Sequence, residues 1–378
     1  MRTAAAQQGP LSGVKVVEFA ALGPAPFCGM LLADMGADVV LVQRASTSPD
    51  PLELGAHAIV HRGKRALALN LKDPDDHATA LALVAQSDIL IEGLRPGVME
   101  RLGLGPEACL AAQPALVYGR MTGWGQSGPL AQHAGHDLNY AALSGAAWWS
   151  ATPHSAPLPP PTLVGDLGGG ALYLAMGVLA ALLHARSSGQ GQVVDAAIVD
   201  GSANLLNLLL SLHSAGLQPE ARGSGLLDGP WWYGLYRCAD AQWLSVAAVE
   251  PHFRAELLKA LDLSEDPVLR DAHRPSQWPT ARAHLAQILS SQTREHWLAL
   301  LQARGAHDAC CTPLLAPSAA AAHPHLQARG TYVEHQGVLQ AAAAPRFEHT
   351  PSRALADIPQ YDQHGAQIRA ELQAQRRL

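Results

Sequence analysis

The chain has 378 residues, beyond the length at which one hydrophobic core usually stops growing, so two domains are expected. Hydrophobic residues make up 48% of the sequence and charged residues only 15%, which excludes an intrinsically disordered chain. The net charge of −6, with both signs interspersed, argues against nucleic acid or an anionic membrane as the main partner.

The cysteines and the N-terminus indicate an intracellular, cytoplasmic protein. Five cysteines, an odd number without the paired spacing of a metal site, fit free thiols in a reducing compartment. Residues 1–10 lack the apolar core of a signal peptide. The longest apolar runs, Ala171–Leu183 and Leu205–Leu212, are shorter than the roughly 20 residues that span a bilayer, so we expect buried helices and no membrane association.

The first third of the chain alternates short apolar strands with helical segments. Strands are predicted at Val14–Phe19, Asp38–Val42, Ala66–Leu71, Ile89–Ile91 and Leu116–Gly119, and helices at Phe27–Met35 and Pro74–Gln86. This alternation predicts an α/β fold with an open, Rossmann-like parallel sheet. Because Pro24 follows Gly23 and removes a backbone N–H, we do not expect the first loop to bind a dinucleotide.

The pattern changes in the second half. The five prolines of Pro153–Pro161 predict a loop, and Tyr233–Arg237 and Trp243–Ala247 predict an antiparallel hairpin. Helices are predicted at Ala171–Arg186 and Ile198–His213, around a strand at Gln192–Ala196. The expected organisation is a large domain 1–213 completed by 330–378, a linker 214–230, a small α+β domain 231–320, and a return segment 321–378 that packs on the large domain.

The most informative stretch runs from Arg120 to Tyr140 and reads RMTGWGQSGPLAQHAGHDLNY. A predicted strand leads into a glycine-rich loop, and His136 and Asp137 then precede a predicted helix. This order is typical of an α/β active site. A histidine at a helix N-terminus stays neutral more readily, and a neutral histidine can act as a base. A solvated histidine with no catalytic role remains the alternative.

Two carboxylates also stand beside glycine or proline at predicted element boundaries. Asp166 suits a helix N-cap, but the glycines Gly168–Gly170 weaken a helix start and suggest that something approaches the backbone closely. Glu250 precedes Pro251, and a charge favoured at a helix start explains it on its own. From the residues alone, structural and catalytic roles both remain open.

The Arg120–Tyr140 stretch resembles the family III CoA transferases, and within them the α-methylacyl-CoA racemases. Leu11–Arg44 and the block IEGLRPGVMERLGLG resemble the same family. The resemblance implies an interlocked homodimer in which each active site lies between one large domain and the partner's small domain. It also implies that His136 and Asp166 are the catalytic pair, and that Glu250 of the partner subunit orients His136.

Further pocket residues follow from the resemblance. The backbone N–H of Asp137 is a candidate donor to the thioester oxygen, although its side chain suits a helix cap. Asn139 and Tyr140, one turn on, line either the pocket or the core. Thr162 stands where these racemases usually carry asparagine, so hydrogen bonding around Asp166 is expected to differ.

CoA carries a pyrophosphate and a 3′-phosphate, which need cations. The residues that match CoA-contacting positions best are Arg44, Arg95 and Arg101. The second choice is the basic stretch RGKR at residues 62–65, with Lys64 and Arg65 as its candidates. CoA is part of the substrate, and no metal or other cofactor is implied. Neighbouring tryptophans could line an apolar acyl pocket or simply pack in the interior: Trp148, Trp149, Trp231 and Trp232.

Three functions are compatible with these residues. The first is a racemase that interconverts (2R)- and (2S)-2-methylacyl-CoA by removing the α-proton and returning one to the opposite face. The second is a CoA transferase in which Asp166 is a nucleophile and forms an aspartyl-CoA thioester. The third is a non-catalytic CoA-binding protein, which would have no reason to keep all three titratable groups.

Overall fold

The structure is a computed structural model that describes residues 9–45, 54–352 and 355–375. The chain divides into two compact units. The large unit comprises the described residues within Met1–Ala146, Pro159–Leu205 and Ala328–Leu378, and the small unit comprises Ala147–Leu158 and Leu206–Gln327. The proline-rich loop and the expected linker therefore contribute mainly to the small unit.

A six-stranded parallel sheet forms the centre of the large unit. Its strands are β1 Lys15–Phe19, β2 Asp38–Arg44, β3 Arg65–Leu69, β4 Ile89–Glu92, β5 Val117–Thr122 and β6 Gln192–Ala197. Their order is β3-β2-β1-β4-β5-β6, and every neighbouring pair is parallel. This is the Rossmann order, which reverses between β1 and β4. The predicted open parallel sheet is confirmed.

The helices follow in chain order. They are α1 Pro24–Asp34, α2 Pro74–Val84, α3 Val98–Arg101, α4 Pro106–Ala112, α5 Asp137–Leu143, α6 Leu172–Ser188, α7 Ile198–Leu205, α8 Asn207–Ser214, α9 Pro251–Ala260, α10 Trp278–Leu289, α11 Arg294–Ala303, α12 Pro317–Ala322, α13 Pro324–Ala328 and α14 Gly365–Gln375. Short 3₁₀ turns lie at Gly55–His57, Ile59–His61 and Pro275–Gln277. Helix α1 begins at Pro24, three residues before the prediction, because proline suits the first helical turn.

Both faces of the large sheet are buried. Alternate residues of β1 show this: Val16 packs in a cluster with Leu32 of α1 and Leu174 of α6, whereas Val17 packs with Val84 of α2. Helix α14 also packs against α2 and β3. Burial on two faces explains why these strands read as continuous apolar runs instead of alternating patterns.

A π-helix, Leu163–Ala171, precedes α6 and was not predicted. The N–H of Leu167 donates to the carbonyl of Thr162, five residues earlier, at 2.9 Å. Together the two segments form Leu163–Ser188, which is longer than the predicted apolar run. It is the one helix of the described residues that is long and apolar enough to cross a membrane, and 44% of its apolar window is buried in the fold. It packs on β5 and β6.

The small unit contains an antiparallel sheet of β7 Tyr233–Arg237, β8 Trp243–Ala247 and β9 Cys311–Pro313, in that order. Tyr233 pairs with Ala247 and Arg237 with Trp243, so the predicted hairpin is confirmed. The sheet and helices α9, α10 and α11 enclose a separate hydrophobic core.

Two predicted elements are divided in the structure. The helix expected at Ile198–His213 ends at Leu205, and α8 begins at Asn207. In the return segment, Tyr332–Val338 predicts a single strand, but the structure has a hairpin of β10 Tyr332–His335 and β11 Val338–Ala341. Its two turn residues, Gln336 and Gly337, both have positive φ, as a tight hairpin turn requires.

Arg62 attaches the C-terminal segment to the sheet layer. Its guanidinium donates to both carboxylate oxygens of Asp34 on α1, at 3.0 and 2.6 Å. It also donates to the Gln340 side chain and the Ala341 carbonyl of β11. The first arginine of the basic RGKR stretch is therefore a buried structural connection.

Candidate functional site

Asp166 lies beside the point where the strand order of the sheet reverses. Ligands of such sheets bind in the crevice beyond the carboxyl ends of the strands at this point. Gly23, in the loop after β1, has φ +72°, and a Cβ placed on it would lie 3.4 Å from Oδ2 of Asp166. The carboxylate of Asp166 therefore lies next to the first loop of the sheet.

His136 directly precedes α5, where the sequence placed it. Its backbone N–H donates to Oδ1 of Asn139 at 3.0 Å, so this asparagine stabilises the helix start. The imidazole of His136 is exposed. An exposed imidazole held at a fixed backbone position can reach a substrate without disturbing the core.

The carboxylate of Asp137 connects α5 to the π-helix. Oδ1 accepts the backbone N–H of Asp166 at 2.8 Å, and Oδ2 accepts the backbone N–H of Thr162 at 3.1 Å. A Cβ on Gly165 would lie only 2.4 Å from Oδ1 of Asp137, so this arrangement requires glycine at 165. The sequence suggested a backbone donor and a helix cap at Asp137, but the side-chain contacts to Thr162 and Asp166 were not predicted. The glycine immediately before Asp166 was the available signal.

The environment of Asp166 favours its neutral form. Burial, followed by the negative charge of Asp137, raises the pKa of Asp166 to about 6, and His136 acts in the opposite direction. A carboxyl group with this pKa can both accept and donate a proton near neutral pH.

Tyr140 completes this group of residues. Its ring is buried and meets Trp124 edge to face, with centroids 4.7 Å apart. A Cβ on Gly123 would lie 2.0 Å from the Tyr140 ring, so glycine is required there. Burial and the charge of Asp166 raise the pKa of Tyr140, whereas Arg95 lowers it. Tyr140 thus lies within electrostatic range of both residues.

Thr162 adopts a conformation that is unfavourable for its type. Its φ is +62° and its ψ −20°, in the left-handed region that β-branched residues rarely occupy. The hydrogen bonds at its N–H and carbonyl hold it there. Asparagine tolerates this region better, which gives a backbone reason for the residue expected from the resemblance.

The glycine run Gly168–Gly170 does not need a ligand to explain it. A Cβ on Gly169 would lie 2.4 Å from Oγ of Ser202 on α7. A Cβ on Gly170 would lie 3.2 Å from Cβ of Pro24 and 3.3 Å from Sδ of Met121. Neighbouring protein elements are therefore what approach this backbone, and the expectation of a close ligand contact is corrected.

The structure separates the five basic candidates into two groups. Arg44 at the end of β2, Arg95 after β4 and Arg101 at the end of α3 are exposed. None of the three is in an ion pair within the described residues. Arg65 instead forms two bonds to Asp38 and one to Glu371.

Lys64 is wrongly placed in the predicted phosphate-binding set. Its side chain is fully buried, as is that of Glu18, and their charged groups lie 2.7 Å apart. The ammonium group also donates to the carbonyl of Pro26 at 2.9 Å. Burial lowers the pKa of Lys64 and raises that of Glu18, and their mutual attraction opposes both shifts. This lysine supports the fold and does not face solvent.

Glu250 belongs to the small unit. It is exposed and immediately precedes α9, with Pro251 as the first helical residue, as the sequence predicted. Its carbonyl accepts the N–H of Arg254 at 3.1 Å. The residues that meet around Asp137 all belong to the large unit.

Two of the tryptophans proposed for an acyl pocket lie in the core of the small unit. Trp231 and Trp232 are 2% and 4% exposed, and Trp232 also packs edge to face with Trp278. Arg254 lies over the Trp232 ring, 4.2 Å from its centroid. Both tryptophans therefore have packing roles. In the described chain, no three His, Cys, Asp or Glu residues form a group that could hold a metal ion.

Comparisons with known proteins identify the family of the chain and agree with its fold. The profile of CoA-transferase family III matches residues 11–365, so the chain belongs to that family. It is 38% identical to alpha-methylacyl-CoA racemase of Mus musculus, over 90% of this chain and 87% of that protein. It is 29% identical to acetyl-CoA:oxalate CoA-transferase of Acetobacter aceti, over 98% of each chain. The structure of a CaiB/BaiF family protein from Brucella suis has a TM-score of 0.82 at 26% identity, covering 97% of this chain and 100% of that one.

Proposed function

We propose that this protein is a racemase of 2-methylacyl-CoA thioesters. The observation that carries the proposal is the meeting of His136, Asp137 and Asp166 at the switch point of the sheet. Inversion at a carbon requires a proton to leave one face and another to arrive at the opposite face. Two separate acid/base groups can do this. His136 directly precedes α5 and Asp166 lies in the π-helix, and the carboxylate of Asp137 connects these two elements.

The proposed reaction passes through an enolate. One of the two groups removes the α-proton, which the thioester carbonyl makes acidic, and the other then protonates the opposite face. In the return direction the groups exchange roles, so each must be able to hold and release a proton. The raised pKa of Asp166, about 6, suits that requirement. The backbone N–H of Asp137 is the proposed donor to the developing oxyanion, and Tyr140 lines the site beneath it.

Glu250 is proposed to act from the partner subunit by orienting His136. This requires a homodimer, for which the large unit offers a suitable surface. Leu172, Met176 and Leu183 lie along one side of α6 and are 51%, 60% and 72% exposed. Apolar side chains exposed together on one helix are typical of an interface. A second copy of this chain is the proposed partner.

The CoA moiety is proposed to bind through Arg44, Arg95 and Arg101, whose exposed guanidinium groups can contact its phosphates. Arg65, which keeps two bonds to Asp38, is a weaker candidate. The proposed chemistry uses side-chain proton transfer, with CoA as part of the substrate and no other cofactor. The proposed setting is cytoplasmic metabolism of branched acyl-CoA.

Deuterium incorporation tests this function. The protein is incubated in D₂O with a single epimer of a 2-methylacyl-CoA, and α-deuterium and the ratio of epimers are measured by NMR and chiral chromatography. We expect exchange and epimerisation without any acceptor acid, and the loss of both in His136→Ala. If the folded protein exchanges no α-proton on any of several 2-methylacyl-CoA substrates, the racemase function is excluded.

A CoA transferase is the second candidate, because the Acetobacter aceti transferase matches along the whole chain. In that reaction the Asp166 carboxylate would attack the thioester carbonyl, release CoA as a thiolate and form a mixed anhydride. The same incubation distinguishes the two reactions. A transferase would require an acceptor acid, would be trapped at Asp166 by hydroxylamine, and would leave the α-proton in place.

A further inference from the structure

The side chain of Asp137 makes contacts that its position at the start of a helix does not require. An aspartate at this position commonly interacts with its own first helical turn. Both oxygens of Asp137 instead accept N–H groups from a segment that follows 25 and 29 residues later. The carboxylate therefore fixes the distance between two elements.

The segment held in this way begins with an unusual backbone conformation. Thr162 has left-handed dihedral angles, which are costly for a residue other than glycine, and the turn after it is π-helical, a rare helix type. The N–H of Asp166 itself is one of the two donors. A change at position 137 would therefore move the backbone that carries the Asp166 carboxyl group.

The charge of Asp137 acts on the same residue. The titratable groups that influence Asp166 are Asp137, which favours its neutral form, and His136, which favours its ionised form. Tyr140 packs close by, and its own ionisation is disfavoured by Asp166. Gly23, on the side of the first loop, adds no charge.

We propose that Asp137 is a positioning residue, whose carboxylate holds the Asp166 turn against α5 and keeps a negative charge beside the Asp166 carboxyl group. This inference deepens the proposed racemase function and depends on it for its kinetic consequences. Asp137 acts here through its side chain, separately from the backbone N–H proposed as the oxyanion donor.

Asp137→Asn tests the role of the charge. The amide keeps one oxygen for a backbone N–H but removes the negative charge, so the pKa of Asp166 should fall. We expect the acid limb of the α-proton exchange profile to move down by about one pH unit. We expect kcat to fall about tenfold, with KM changed less than about twofold. An unchanged acid limb together with an unchanged kcat would overturn the proposal.

Asp137→Ala tests the positioning role. Because both acceptors are lost, hydrogen–deuterium exchange at the amides of Thr162 and Asp166 should become faster, and kcat should fall about 10²-fold. Amides that keep wild-type protection would refute the positioning role, whether or not the protein is a racemase. If this variant does not fold, the same amide measurement on Asp137→Asn decides the question.

Asp228→Asn is the matched control. Each oxygen of Asp228 also accepts one backbone N–H, from Gly223 and from Gly225, both at 2.8 Å. This control should leave the exchange profile at wild-type values. Absence of α-proton exchange in the wild type would reject the racemase function itself, whereas wild-type exchange that is unaffected by Asp137→Asn would reject only this inference.

Discussion

Two groups of charged residues in the large unit are built in opposite ways. Lys64 and Arg62 are buried beside carboxylates of opposite charge, Glu18 and Asp34. In the other group two carboxylates, Asp137 and Asp166, are linked through a backbone hydrogen bond, with His136 nearby at the surface. The first group brings opposite charges together, and the second brings like charges together.

The two groups therefore have different roles: the buried ion pairs stabilise the fold, whereas the neighbouring carboxylates suit proton transfer. In a buried pair of opposite charges each ion stabilises the other, and the removal of one partner is what costs stability. Two neighbouring carboxylates raise the free energy of the ionised form, so a proton is shared more readily with a substrate. Basic residues that look alike in sequence thus serve the architecture, while acidic residues that look like helix caps serve the proposed reaction.

The largest expected effect is that of Asp166→Asn. Loss of a proposed acid/base group should lower α-proton exchange by about 10³-fold. The raised pKa means that the folded protein holds this proton more tightly than the unfolded chain, so ionised Asp166 costs stability, and the cost grows as pH rises from the ordinary aspartate value through about 6. Asparagine removes that cost. Thermal unfolding should therefore show a higher melting temperature than wild type near pH 7.5, with little difference near pH 4. A lower melting temperature at the higher pH would contradict this assignment.

Lys64→Met should destabilise the protein by about 3–5 kcal/mol, because it leaves the Glu18 carboxylate buried and unpaired. Chemical denaturation measures the change. The double variant Glu18→Gln with Lys64→Met should recover much of the loss. Folded Lys64→Met with normal stability but weaker CoA binding would show that this lysine contacts phosphate after all.

Substitution of Arg44, Arg95 or Arg101 by alanine should raise KM for acyl-CoA by about tenfold, with kcat little changed, since one phosphate contact is lost in each. Steady-state kinetics at two ionic strengths would show a weaker salt dependence than in wild type. Arg186→Ala is the control, because this exposed arginine lies in the last turn of α6, just before the amino end of β6. The proposed site lies at the carboxyl ends of the strands. An equal KM effect in the control would contradict a specific CoA contact.

The smallest expected effect is that of Thr162→Asn. Asparagine fits the left-handed backbone better, so the variant should gain about 1 kcal/mol of stability, with exchange rates within about twofold of wild type. Thr162→Ala should gain less, because alanine keeps a Cβ without the asparagine side chain's tolerance of that region. Denaturation midpoints decide between the variants, and a destabilised Thr162→Asn would contradict the strain at this residue.

The sequence predicted the parallel sheet of the large unit and the place of His136 directly before a helix. Asp166, which suited a helix N-cap, instead lies inside the π-helix, where Thr162 is the N-cap residue. Parallel strands are buried on both faces, so their apolar runs stand out, and the site lies where strands and glycine loops meet. The buried pair was missed because RGKR reads as a surface patch. Glu18, a charge inside the apolar strand Lys15–Phe19, was the signal that a buried cation had to lie nearby.

Neither the π-helix nor the hydrogen bonds that join the Asp137 carboxylate to Thr162 and Asp166 could be predicted in the same way. Periodicity describes helices with regular turns, and the segment Leu163–Ala171 departs from that repeat. The hydrogen bonds of the Asp137 carboxylate join residues that are 25 and 29 positions apart in sequence, so only the folded backbone brings these residues together. The interruption at Leu206, between α7 and α8, likewise has no signal in the apolar run around it.

The direction of the Asp166 side chain also depends on the number of residues in the π-helix. Successive residues of an α-helix are rotated by about 100° about the helix axis. Deleting one glycine from Gly168–Gly170 would therefore allow regular α-helical turns and rotate every side chain before the deletion relative to α6. Asp166 would then swing away from the loop beside Gly23. An insertion or deletion within these nine residues would therefore change the proposed acid/base group and leave the six-stranded sheet intact.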